Sequence, residues 1–484
     1  MKKFEILALA LILIGAFGVR LYKFNSPIAD WHSWRQADTS AVSRNFVKTG
    51  FDVMHPKFDD LSMGVSLIDN PQGYRFVEFP IYNAAQAALF KYIGRLTLEQ
   101  WGRMVSILSS LISTVFLFLI VKKYINARAA LFSAFFFAFV PYNIYYGRTI
   151  LPDQSMVTAM LGATYFFSNW IERKKVTIFN ASFILALLFM VAAVLLKPYA
   201  LFFTLPLIYL SYRNFGMSFF KKWQLWVFLI LSLAPFVFWQ VWIQQYPAGI
   251  PRNDWLFNGS KIRFTGSFFH WLFGERIGQF ILGYFGLPFV ILGILRKVNK
   301  KEGWLFFTFI ASSLIYMTVL ATGNIQHDYY QILAVPTLAI FFGKGASMIV
   351  EYAGSIFNKF TAYVVVFISI VFMLAFGWFV IRDFYNIQHP EIIQAGKAVD
   401  SLTPKDAKII APYGGDTTLL YSTNRKGWPV FDRPLKQFIK EGAAYMLFVN
   451  PSGPELNFKN YFVTLEQGDR YIIYDLTKPL KPIQ

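Results

Sequence analysis

Eleven long apolar stretches punctuate this chain, too many for one soluble core to bury. They lie near 4–22, 103–121, 129–146, 154–171, 176–196, 198–212, 223–243, 277–295, 303–320, 329–349 and 360–381. Crossing a bilayer takes roughly 17–25 apolar residues per helix, so each stretch reads as a span. The sixth is the shortest and is broken by Pro198 and Pro206. Composition agrees, because only 15% of the 484 residues are charged, against roughly 25% in an average soluble domain. The expected fold is an all-α polytopic membrane protein of about eleven transmembrane helices with a small C-terminal soluble α/β domain.

The cations set the expected orientation. With the N-terminus inside, the inner connections carry Lys122, Lys123 and Arg128; Arg173, Lys174 and Lys175; Arg213, Lys221 and Lys222; Arg296, Lys297, Lys300 and Lys301; and Lys344 and Lys359. The short outer turns carry only Arg148 and Lys197. That alternation is the positive-inside bias. It also gives the formal charge of +19 a topological cause, and no basic soluble module accompanies it, so nucleic acid is not an expected partner. The apolar run after Met-Lys-Lys lacks a small-residue cleavage site before Arg20 and is read as an uncleaved first span. Without cysteine, disulfides, thiolate metal sites and cysteine nucleophiles are excluded.

Three outer segments are too long to be plain connectors: 23–102, 244–276 and 382–484. In the first, Asp38 to Lys48 predicts an amphipathic surface helix with Asp38 as its N-cap, and Pro80 to Ile93 a second. The tail predicts a helix over Glu391–Leu402, a helix near Pro434–Gly442, and strands at Lys408–Ala411, Met446–Val449, Tyr461–Leu465 and Tyr471–Tyr474. The expected domains are a transmembrane domain, 1–381, and an extracytoplasmic domain, 382–484, the latter assigned acceptor recognition or a lid.

Groups able to do chemistry gather at the outer ends of the spans. Directly after the first span comes Asp30-Trp31-His32-Ser33-Trp34-Arg35-Gln36-Ala37-Asp38-Thr39, which concentrates carboxylate, imidazole, guanidinium and indole. A carboxylate there can act as a base toward a hydroxyl, and a cation can hold an anionic leaving group. The bland alternatives are a capped turn for Asp30 and headgroup contact for Arg35. Asp38 reads first as a helix cap, so Asp30 is preferred as the base, with Asp38 the open alternative. Glu78, beside Arg75, suits either a sugar hydroxyl or a helix N-terminus. Arg148 and Asp153 share an outer turn and suit either a site or a structural ion pair. Lys197, bordered by apolar sequence, suits a phosphate or snorkels to the interface. His327 and Tyr330 in His327-Asp328-Tyr329-Tyr330-Gln331 suit substrate binding or an interfacial aromatic belt. Their spacing matches no zinc signature, so no metal ligand is assigned and no cofactor is required, although a divalent cation is compatible.

These stretches resemble the membrane-embedded GT-C glycosyltransferases, in the branch of the protein O-mannosyltransferases and the aminoarabinose transferase of lipid A. The likeness rests on Trp34-Arg35-Gln36-Ala37-Asp38-Thr39, Ser43-Arg44-Asn45-Phe46, Glu78-Phe79-Pro80-Ile81-Tyr82, Arg148 to Asp153 and His327 to Gln331. It covers roughly the first 380 residues and fades in the tail. The resemblance implies a sugar donor activated on a lipid phosphate, a reaction at the outer face, an acid of the first loop as base, and a supporting acid at Asp153. Many members begin the first surface helix with an Asp-Glu pair. Here Arg35 and Gln36 stand at those places, so the base stays open between Asp30 and Asp38.

The expected function is an inverting transfer from a polyprenyl-phosphate-sugar to a glycan, lipid or protein acceptor, in a multi-pass protein of the prokaryotic cell membrane. Two rivals remain. A lipid-linked sugar flippase would place its charges near mid-membrane, and a polysaccharide polymerase or ligase would use lipid diphosphate donors and a late outer loop.

Overall fold

A computed structural model describes residues 2–356 and 358–481, so Met1, Phe357 and the last three residues of the expected tail domain lie outside the described residues. The chain is mostly helical, with one small sheet near its C-terminus. In chain order the first ten α-helices are α1 (Lys3–Arg20), α2 (Ser33–Thr49), α3 (Ile81–Tyr92), α4 (Leu98–Tyr124) and α5 (Ala127–Phe139), then α6 (Pro141–Tyr146), α7 (Asp153–Ile171), α8 (Ala181–Leu196), α9 (Leu205–Phe215) and α10 (Trp223–Ile243).

Two compact units emerge, and neither is continuous in sequence. The first comprises Met1–Phe24, Arg103–Trp239 and Asn253–Asp383; the second comprises Asn25–Gly102, Gln240–Arg252 and Phe384–Gln484.

The first unit is the helical bundle. Among the described residues, four helical segments are long and apolar enough to cross a membrane: Leu98–Tyr124, Trp223–Ile243, Asp328–Glu351 and the helix that starts at Lys359. Several other expected spans are interrupted, for identifiable reasons. The stretch 129–146 is split at Pro141, and 198–212 opens as a 3-10 turn, Pro198–Thr204, before α9. The stretch 277–295 is broken where Gly283 and Tyr284 take left-handed backbone angles, φ 47° and 58°. Polar backbone groups freed at such breaks need partners inside the protein. Close helix contact is achieved through small residues: a Cβ on Gly345 would stand 1.8 Å from the Phe289 carbonyl oxygen, so the helices Leu287–Leu295 and Val335–Glu351 meet backbone to backbone.

Ion pairs tie bundle helices together. Lys123 Nζ is 2.9 Å from Glu172, which also takes Arg213, and Arg296 reaches Glu351 at 2.7 Å. Lys344, expected in an inner connection, instead lies within the helix Val335–Glu351, fully buried and paired with buried Glu302. A buried lysine without a counter-charge would be costly, which is the reason for the pairing.

The second unit joins the first long loop to the tail. Its sheet runs in the order β2-β1-β3-β5-β4, with β1 (Lys408–Ile410), β2 (Lys426–Trp428), β3 (Ala443–Val449), β4 (Phe462–Gln467) and β5 (Tyr471–Pro479). β1 pairs parallel with both β2 and β3, while β5 is antiparallel to β3 and β4. One face buries Trp428, Phe438, Met446 and Phe448; the other buries Ile392, Val399, Leu420 and Leu447. Leu61 of the first loop enters the former core. The loop also extends the sheet edge, since Gly427 N donates to Asp59 O at 3.0 Å and Leu61 N to Gly427 O at 2.8 Å. Only glycine allows this sandwich, because a Cβ on Gly427 would come within 1.7 Å of Ile409 O.

Asp38 does not cap a helix. α2 begins at Ser33, five residues earlier than expected, after His32 takes a left-handed φ of 54°. Asp38 is therefore inside α2, 3% exposed. The second surface helix starts after Pro80, as its sequence led one to expect. The two pack through polar groups: Asn83 Nδ2 donates to Thr39 O at 2.7 Å and Ser43 Oγ to Gln86 Oε1 at 2.8 Å.

Candidate active site

In the second unit the candidate residues lie just before α2, on its first two turns, and in the stretch ahead of α3. Asp30 is buried, and Gln36 Nε2 donates to its Oδ1 at 2.8 Å. His32 sits against the Trp31 indole at 5.1 Å, and Trp31 stacks on Phe384 at 5.2 Å. Arg35 grips both oxygens of Glu78 at 2.7 and 2.9 Å, with both side chains under one-tenth exposed. Beside them a second guanidinium–carboxylate pair forms, in which Arg75 donates to Asp38 Oδ2 at 2.6 Å. The other Asp38 oxygen accepts from Thr417 Oγ1 at 2.7 Å. Arg35, Asp38, Arg75, Glu78, Thr39 and Asn83 line one cleft.

Two further carboxyls feel the Asp38 charge. Burial, with a smaller contribution from Asp38, pushes Asp60 up to about 6 against hydrogen bonds from Ser62. Burial likewise raises Asp416, at the foot of the short helix Thr418–Ser422.

The first unit holds the other set. Asp153 opens α7, and Lys197 follows the last residue of α8 in extended backbone. Lys197 Nζ donates to Asp153 Oδ1 at 2.8 Å. Both are buried, so Lys197 does not snorkel, and the partner it meets is Asp153. Three rings, Tyr199, Tyr329 and Tyr330, surround the ammonium at 5.6 to 5.8 Å. The second oxygen of Asp153 is buried and accepts no hydrogen bond among the described residues. His327 stacks on Tyr329 and Tyr330 at 5.4 and 6.0 Å, which joins it to the lysine cage. Arg148, also buried, donates to the Lys23 carbonyl at 3.3 Å and lies 5.4 Å from the Tyr145 ring.

The pairs therefore assemble as Asp30 with Gln36, Arg35 with Glu78, and Asp153 with Lys197, Tyr330 and His327. Sequence reasoning missed Thr417, Gln36 and Tyr199, and read Arg75 without its partner. Thr417 carries no local signal, since its partner is 379 residues away. Among the described residues no group of three or more His, Asp or Glu is placed to hold a metal ion. An apolar groove of the first unit, lined by Phe167, Met190, Leu207, Phe228 and Leu233, contains none of the candidate residues.

Chemically, a buried ammonium held between a carboxylate and tyrosine faces is a fixed positive charge in a medium of low polarity, suited to an anion that develops beside it. A row of carboxylate and guanidinium groups suits hydroxyls, which both donate and accept hydrogen bonds.

The chain has the fold of the membrane-embedded GT-C glycosyltransferases. Residues 79–242 match the family described as dolichyl-phosphate-mannose-protein mannosyltransferase. ArnT from Cupriavidus metallidurans, in its crystal structure bound to undecaprenyl phosphate, superposes with a TM-score of 0.66 at 12% identity, covering 98% of each chain. The Archaeoglobus fulgidus oligosaccharyltransferase complex with Zn and sulfate gives 0.55 at 13% identity, over 94% of this chain and 71% of that one. The oligosaccharyltransferase AglB of the same organism, with an inhibitory peptide and a dolichol-phosphate, gives 0.55 at 10% identity, over 95% and 70%. No curated protein matches.

Proposed function

We propose that this protein is a glycosyltransferase that moves a sugar from a polyprenyl-phosphate-sugar donor to a hydroxyl of a glycan, lipid or protein acceptor at the outer face of the cell membrane. The acceptor oxygen forms its bond to the anomeric carbon as Asp30 takes the hydroxyl proton. The bond from that carbon to the phosphate oxygen breaks, and its electron pair leaves on the polyprenyl phosphate. A single displacement inverts the anomeric centre. Lys197 and Arg148 stabilise the phosphate, Asp153 positions Lys197, and Tyr330 and His327 flank the donor. His32, Arg35 and Glu78 bind substrate hydroxyls.

The observation that carries this reading is the Lys197–Asp153 pair inside its tyrosine cage, a cation kept out of water with one carboxylate oxygen still available. A phosphate monoester leaves without needing an acid, but it does need a fixed cation. Asp30 is the base in this reading, and Asp38, held by Arg75 and Thr417, is the alternative. The flippase alternative draws no support from the ion pairs of the bundle, which bind helices to one another. Purified protein incubated with a panel of polyprenyl-phosphate sugars, with and without a chelator, tests the reading through release of free polyprenyl phosphate. Consumption of no donor overturns it, and loss of turnover on chelation adds a cation to it.

A further inference from the structure

The apolar groove of the first unit lies where a short helix runs beside a long one. Pro198 opens a 3-10 turn and Pro206 stands at the start of α9, which is left with 11 residues beside the 21 of α10. Along the first half of α10, Phe228 and Ser232 are buried, whereas Trp226 and Leu229 stay 48% and 44% exposed at the groove mouth. The groove holds about 230 Å³, against roughly 10–15 Å³ needed for one water. Its floor of Phe167, Met190 and Leu207 offers water no partner.

One end of the groove is basic. Lys221 and Lys222 stand between Phe220 and Leu225, which both line it. The connection Arg173-Lys174-Lys175 comes up beside them, since Gln224 Nε2 donates to the Val176 carbonyl at 3.4 Å. Arg173, Lys174, Lys175 and Lys221 are exposed, and Lys222 Nζ lies 5.1 Å from the Phe215 ring. From Phe167 to Leu233 the sequence holds a single carboxylate, Glu172, which already takes Lys123, Arg213 and the Tyr124 hydroxyl. The rim is therefore net positive beside an apolar slot.

We propose that this groove binds an anionic phospholipid of the inner leaflet, with one acyl chain in the slot and the phosphate at Lys221 and Lys222. The site goes beyond the transfer reading and uses none of its residues; its side of the membrane follows from the alternation of cations along the sequence. Within a bilayer an apolar chain gains little from a slot alone, so headgroup charge decides which lipid stays. Basic pockets between transmembrane helices at the inner surface select anionic headgroups. The Trp226 indole donates to the Phe220 carbonyl at 2.8 Å, which fixes the aromatic turn Gly216–Lys221 across the groove mouth. The phosphate placed here is not the donor's. Lys197 follows the last residue of α8 and Arg173 to Lys175 precede its first, so the two sets of cations are set apart by 16 helical residues, about 24 Å.

The test is native mass spectrometry of the full-length protein, stripped of lipid in detergent and titrated with dioleoylphosphatidylglycerol or dioleoylphosphatidylcholine, which differ only in headgroup. One phosphatidylglycerol is expected to bind about tenfold more tightly than phosphatidylcholine. Lys221→Gln with Lys222→Gln is expected to raise the phosphatidylglycerol Kd roughly 30-fold. Lys297→Gln with Lys359→Gln removes the same charge from positions that adjoin no lining residue in the chain, and is expected to change that Kd less than about threefold. Leu229→Trp, which fills the groove mouth, is expected to weaken both lipids. Equal affinity for the two lipids, equal loss in the two lysine pairs, or an unaltered Kd in a folded Leu229→Trp overturns the proposal. So does one-for-one displacement of phosphatidylglycerol by undecaprenyl phosphate, which would give the groove to the chain of a polyprenyl donor. The lysine pairs lie at the protein surface, so their comparison decides the matter even where Leu229→Trp fails to fold.

Discussion

Lys197 Nζ lies 2.8 Å from Asp153 Oδ1, and both side chains are almost wholly withdrawn from solvent. Removing one partner of such a pair leaves an uncompensated buried charge and costs roughly 3–5 kcal/mol, whereas removing both costs far less. Lys197→Met is therefore expected to lower the thermal midpoint sharply, and Lys197→Met with Asp153→Asn to recover most of it. Release of polyprenyl phosphate is expected to stay absent in both, because the double variant restores packing and not the cation. Thermal scans in detergent paired with the donor assay check this. Recovery of activity along with stability would show that the pair is only structural.

Asp30 precedes α2, whereas Asp38 lies within it, and the two have different neighbours. A positioned base contributes roughly 10²- to 10⁴-fold to a proton-transfer step. Asp30→Asn is expected to lower kcat by about that factor with both KM values little changed. Asp38→Asn, which still offers an oxygen to Thr417 but weakens the Arg75 pair, is expected to lower thermal stability while reducing kcat far less. The reverse pattern would move the base to Asp38.

Much of this organisation is written in local sequence, and the places where it is not are instructive. The strands of the tail and the helix after Pro80 follow from alternation and apolar spacing, which are local properties. The start of α2 was misplaced because Asp38 has the chemistry of a helix cap, and nothing local reveals that it is held by Arg75 and Thr417. β2 is only three residues long and centred on a glycine, so it has no alternation to read; it exists because β1 pairs with it on one side and Asp59 to Leu61 on the other. Lys344 reads as a surface cation until Glu302 is seen beside it. Lys197 was recognisable as unusual from its apolar neighbours, but its tyrosine cage is assembled from segments more than 130 residues apart.

Asp60 gives the second unit a pH dependence. Burial raises its carboxyl from the usual 3.8 to about 6. A raised folded-state value means that the neutral form is favoured in the fold. The stability it allows is complete below about pH 4 and is lost as pH rises through 6, amounting to ~3 kcal/mol at most. Asp60→Asn keeps the oxygen that accepts from Ser62 N and cannot ionise. The stability of Asp60→Asn relative to wild type is thus expected to rise between pH 4 and pH 7 and to level off above. Thermal or denaturant unfolding of both proteins across that range reads it directly, and a difference that stays flat would place Asp60 in contact with water.

The alternation of cations also makes a claim about sidedness that the natural absence of cysteine renders easy to check. Lys174 lies in a connection expected inside, Ser401 in the tail expected outside, and both are exposed. Single substitutions Lys174→Cys and Ser401→Cys introduce one thiol each into a chain that has no other. A membrane-impermeant maleimide is expected to label Ser401→Cys in intact cells, and Lys174→Cys only after the membrane is opened. The positive-inside bias acts through short, cation-rich connections, and 172–175 is one of them, with Arg173, Lys174 and Lys175 in a row. Labelling of both thiols in intact cells, or of Lys174→Cys alone, would invert or break the proposed topology and with it the assignment of the reaction to the outer face.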